Sequence, residues 1–117
     1  MEKTEIDRLL TEIPKEKARK LEEARQARTA AKNAKAAYEL RYSQILYTLK
    51  LKSTDLTQTD LKAQATIGSH QERLNMILAE AAWKKVLNDL AALEDTFQAT
   101  LEASYNWRSE IKAGFQG

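Results

Sequence analysis

Residues 71–112 read QERLNMILAEAAWKKVLNDLAALEDTFQATLEASYNWRSEIK, and this stretch decides the fold. Met76, Ala79, Trp83, Val86, Leu90, Leu93, Phe97, Thr100, Ser104, Trp107 and Ile111 recur at alternating steps of three and four. That is the rhythm of a coiled-coil helix with apolar a and d positions. No Pro or Gly interrupts the run before Gly114. At 1.5 Å per residue such a helix runs roughly 60 Å, far beyond the usual three or four turns. One helix cannot bury its own stripe, so the seam calls for a partner helix.

Lys15 to Leu51 supplies one. It is rich in Ala, Lys, Arg, Glu and Leu, strong helix formers, and lacks Gly and Pro. Its apolar stripe, Ala27, Ala31, Ala34, Tyr38, Tyr42, Ile45 and Leu49, repeats every eleven residues, which favours a nearly straight course. The alanines allow close helix approach, and Tyr38, Tyr42, Ile45, Leu46 and Leu49 supply most of the bulk.

The rest of the chain divides around these two. Ile6, Leu9, Leu10 and Ile13 give residues 1–13 the face of a short helix, and Pro14 predicts a break or kink before a first long helix over 15–52. Residues 53–69 read as a turn followed by a short helical segment, with Thr54 or Thr57 as its cap. Ser69 to Glu72 has capping-box spacing, so the second long helix is expected over 70–113, with Gly114 as its left-handed end. With only 3 Gly and 1 Pro among 117 residues, hairpin turns between strands have little to be built from. The expected class is all-α: a single domain formed by a long antiparallel helical hairpin. Trp83, Phe97 and Trp107, flanked by Leu87, Leu101 and Tyr105, are more apolar width than one neighbour covers. A homo-oligomer, most simply two hairpins in a four-helix bundle, is expected, with Tyr38, Tyr42, Trp83, Leu90, Phe97 and Trp107 at the interface.

Composition narrows the chemistry. There is no Cys, hence no disulfide or thiolate chemistry, which fits a reducing compartment. No apolar run approaches the ~18 residues of a membrane span, and the charged start lacks a signal-peptide core, so a cytoplasmic location is expected. His70 is the lone histidine, and Ile67 three residues before it rules out a Glu-x-x-His metal pair. Glu94, Asp95, Asp89 and Glu102 read as a salt-bridged surface rather than an acid pair. No phosphate loop, nucleophile elbow or catalytic triad pattern is present, and the chain reads as a non-enzyme without cofactor or metal.

Charge is more informative. Residues 1–52 hold 13 Lys and Arg against 8 acids, whereas 53–117 hold 6 against 9. Arg25, Arg28, Lys32 and Lys35 line one helical face beside the alanine stripe, and Lys50 rejoins it. Such a row can track a phosphate backbone, so nucleic acid is a candidate partner. The competing reading is a flank neutralised by the acidic second helix. Tyr105, Asn106, Trp107 and Arg108 form an aromatic and cationic cluster, with Trp107 also accounted for by the seam.

Ala63 to Ile67, then Ala79 to Lys84, then Leu90, Leu93, Phe97 and Tyr105 to Lys112 resemble a group of small coiled-coil proteins encoded by tailed bacteriophages. The resemblance covers Lys62 to Lys112, under half of the chain, and has no counterpart for the basic first helix. It implies a phage accessory protein near DNA replication and recombination, in the host cytoplasm, and carries no site residues. Two other roles fit the same pattern. One is an inhibitor of a host enzyme or defence complex working through the acidic helix; the other is a purely structural coiled coil. For the inhibitor the partner is a host or phage protein; the structural coiled coil has no ligand of its own.

Overall fold

The computed structural model describes residues 2–52 and 55–116, with backbone only for 115 and 116. The described residues are all-helical, without a strand: α1 (Lys3–Lys52), α2 (Gln58–Gly68) and α3 (His70–Gln116). No helix among them is long and apolar enough to cross a membrane.

The expected division into a short helix over 1–13 and a long one over 15–52 is replaced by a single helix with Pro14 inside it. Proline removes one backbone donor and crowds the preceding turn, at a cost of about 3 kcal/mol. Against that, Ile6 and Ile13 are both buried, and each such side chain contributes about 1.5–3 kcal/mol. Ile6, Ile13, Lys20 and Ala24 lie on one continuous face, so breaking the helix at Pro14 would turn Ile6 off it.

The chain forms two units. The first joins residues 1–24 to 85–117. Its buried side chains are Ile6, Ile13, Ala24, Val86 and Thr100. Thr100 is fully buried, and its hydroxyl donates to the Thr96 carbonyl at 2.7 Å, which satisfies it inside its own helix. Ile13, Pro14 and Lys17 share a cleft with Phe97. Lys17 reaches Glu94 at 2.5 Å and Lys20 reaches Asp89 at 3.4 Å, while Lys3 Nζ stands 5.0 Å from the centre of the Trp107 ring. Numbers fall on α3 as they rise on α1, the order of an antiparallel pair.

The second unit is residues 25–84. Arg41 approaches Glu72 at 4.0 Å and Ile45 lies against Gly68, so numbers again fall on one side as they rise on the other. Thr57 caps α2: its hydroxyl accepts from Asp60 N at 3.1 Å, and the Asp60 carboxylate accepts from Thr57 N at 3.4 Å. The other expected cap, Thr54, lies outside the described residues. Leu61 and Ala65 are the buried side chains of α2.

Ser69 does not cap α3. It is fully buried, and its hydroxyl donates back to the Ala65 carbonyl at 2.6 Å. Its backbone sits at φ −105°, ψ 15°, outside the α-helical values, and ends α2. Gly68 allows close approach here, because a Cβ at that position would lie 2.7 Å from Ile45 Cδ1. At the far end α3 continues through Gly114 to Gln116, past the expected stop at 113, and no described glycine has positive φ.

Candidate nucleic-acid interface

Both sequence stripes are the inner faces, except that Ile111, the last seam position, is exposed where the pairing runs out. In the second unit Ala31 is buried and Ala27, Ala34, Tyr38, Tyr42, Ile45, Leu49, Met76, Ala79 and Trp83 are half-buried. In the first, Val86 and Thr100 are buried and Leu90, Leu93, Phe97, Ser104 and Trp107 half-buried. All six expected interface residues therefore sit on the seam with part of their surface left open. The Tyr38 and Tyr42 rings lie 6.2 Å apart at 47°, a tilted aromatic pair one helical turn apart.

The acids near the seam are paired. Glu94 accepts from Lys17 and from Gln98, and those hydrogen bonds hold its carboxyl below the ordinary value near 4.5. Glu23 first, then Asp89, raise the Lys20 ammonium above 10.5. Among the described residues no group of three or more His, Asp or Glu is placed to hold a metal ion, and His70 is an exposed first residue of α3.

Glu94 sets a pH expectation. A carboxyl whose pKa is lowered by folding contributes stability that is present above the unfolded value and lost as pH falls through the folded one. Melting temperatures followed downward from pH 6 are expected to drop less steeply below about 4.5 in Glu94→Gln than in the unchanged chain. Identical profiles would remove the Lys17–Glu94 pair from the account of this unit.

The basic row behaves differently. Arg25, Arg28, Lys32, Lys35 and Lys50 are all exposed. Arg25 is engaged with a neighbour. Arg28, Lys32, Lys35 and Lys50 have no carboxylate within ion-pair distance among the described residues. The reason is compositional. The α3 part of this unit, His70 to Lys84, carries Glu72 and Glu80 against Arg73 and Lys84, and Glu72 already faces Arg41. The acidic surplus of the second half lies in the other unit. By unit, residues 25–84 hold 10 Lys and Arg against 5 acids, and the remainder 9 against 12.

No family model, curated protein or solved structure matches this chain.

At 100° per residue, Arg25, Arg28, Lys32, Lys35 and Lys50 cluster about a quarter turn from the α1 seam. Glu39 stands in line one turn beyond Lys35 and separates Lys50 from the other four. A second feature of this unit escaped the sequence reading. Leu40, Tyr47 and Leu51 on α1, and Leu74, Ile77 and Leu78 on α3, are exposed apolar residues facing away from the seam. The signal was the same helical spacing displaced by about two residues from the seam. In the C-terminal cluster, Tyr105 is exposed while Trp107 is half-buried under Lys3, so only the tyrosine offers a free ring face.

Proposed function

We propose that the chain is a non-enzymatic helical hairpin that self-associates into a bundle and binds nucleic acid along the Arg25 to Lys50 row of α1. The observation that carries this reading is the contrast along one helix: Lys17 and Lys20 are neutralised by acids of α3, and Arg28, Lys32, Lys35 and Lys50 are not. Unpaired cations at three- and four-residue spacing offer fixed points for successive phosphates, and each contact releases a condensed counterion. Exposed Tyr47 lies close to Lys50 on the helix surface and adds an aromatic face on which a base of a single strand can stack. The setting of this reading is the one the resemblance implies, a phage accessory of DNA recombination or replication.

The test is fluorescence anisotropy with a labelled single-stranded oligonucleotide at about 50 mM and about 300 mM salt, with the mass of the complex read by light scattering. Binding that is clear at low salt and falls steeply with added salt is the expected result. No binding at low salt sinks the reading and moves the search to a protein partner by pull-down.

A further inference from the structure

The first four turns of α3 are apolar on two opposite sides. Met76, Ala79 and Trp83 form the half-buried seam. Leu74, Ile77, Leu78 and Ala81 lie roughly 180° away and are exposed, Leu78 by 67%. A helix that is hydrophobic all round is normally covered all round.

The charges beside this outer face identify what covers it. Arg73 and Glu80 sit on the same flank, one turn to either side of Ile77. Seven residues separate them, about 10 Å along the axis, too far to meet within one helix. Neither has an ion-pair partner among the described residues. A second α3 laid antiparallel across the first, with the two-fold axis near Ile77, brings Arg73 of each copy opposite Glu80 of the other. The same axis brings the two Ile77 residues level to within one residue's rise and sets Leu74 of each copy beside Leu78 of the other. A parallel two-fold pair sets residues of equal number at the same height, so Arg73 of one copy and Glu80 of the other stay about 10 Å apart along the axis and unpaired.

We infer that the outer face of α3, Leu74, Ile77, Leu78 and Ala81, is an isologous contact between two copies of this chain, closed by reciprocal Arg73–Glu80 ion pairs. The inference deepens the self-association of the proposed function and rests on it, moving the contact from the seam to the opposite side of the helix.

Sedimentation equilibrium on Arg73→Glu, Glu80→Arg, the double reversal and Leu78→Glu provides the test. Each single reversal turns two attractions into two repulsions and is expected to weaken the dimer about tenfold or more. The double reversal should restore it. Leu78→Glu should give a monomer with unchanged helix content by circular dichroism; if that variant loses helix, the three charge variants decide. A dimer indifferent to the reversals overturns this contact while leaving self-association through another face. A wild-type chain that is monomeric at every concentration overturns both.

Discussion

Replacing Arg28, Lys32 and Lys35 together by Gln is expected to weaken binding to a single-stranded oligonucleotide by roughly a hundredfold or more near 50 mM salt. The size follows from counterion release. Each phosphate contact contributes about 0.7 to the slope of log affinity against log salt for a single strand, so the slope should become shallower by about 2. Glutamine keeps the helix propensity of the residues it replaces, and all three positions are exposed, so the helical signal should not change. Lys17→Gln with Lys20→Gln serves as the control. Those ammonium groups are held by Glu94 and Asp89, and their loss should disturb stability more than binding. Equal loss of binding from both sets would mean that general positive charge, rather than the unpaired row, attracts the ligand.

The second large effect concerns α2. An eleven-residue helix is shorter than the ~12–15 residues needed for marginal stability in isolation, so α2 persists through packing. Leu61, 4% exposed, is its one large buried side chain. Leu61→Ala is expected to cost about 2–5 kcal/mol, the range for truncating a buried leucine. The loss should be concentrated: hydrogen exchange of the α2 amides should accelerate strongly while the middle of α1 changes less. Uniform acceleration would show that α2 is not a separable element.

Much of this architecture was legible in periodicity alone. The alternating three and four steps from Met76 to Trp107, and the eleven-residue stripe from Ala27 to Leu49, coincide with the less exposed positions of their helices. A seam is legible because burial acts at every turn and its signal accumulates with length. Pro14 left two readings, a break or a kink in a continuous helix, and the burial of Ile6 and Ile13, which act from outside the local rule's window, favours the continuous one. Ser69 misled for a similar reason: its hydroxyl can cap forward or bond backward, and in its fully buried position it bonds back to the Ala65 carbonyl. The basic row was readable as a row, but the lack of an ion-pair partner for Arg28, Lys32, Lys35 and Lys50 was not. That depends on which stretch of α3 lies in the same unit, and net charge counted by halves placed acids where none pairs with these four.

The order of the cross-helix pairs also bears on how the chain folds. Ile45 and Gly68 are 23 residues apart, whereas Lys20 and Asp89 are separated by 69 and Lys17 and Glu94 by 77. Closing a loop costs entropy that grows with the logarithm of its length, so the pair nearest the turn closes first and shortens every later closure. Assembly then proceeds as a zipper from the α1–α2 connection towards the termini, each step adding a small loop rather than a long one. Contacts of low sequence separation start it, which favours rapid folding despite the long-range pairs that finish it. The pairs formed last are the first to open. The surface carrying the basic row is therefore complete before the two ends of the chain have met.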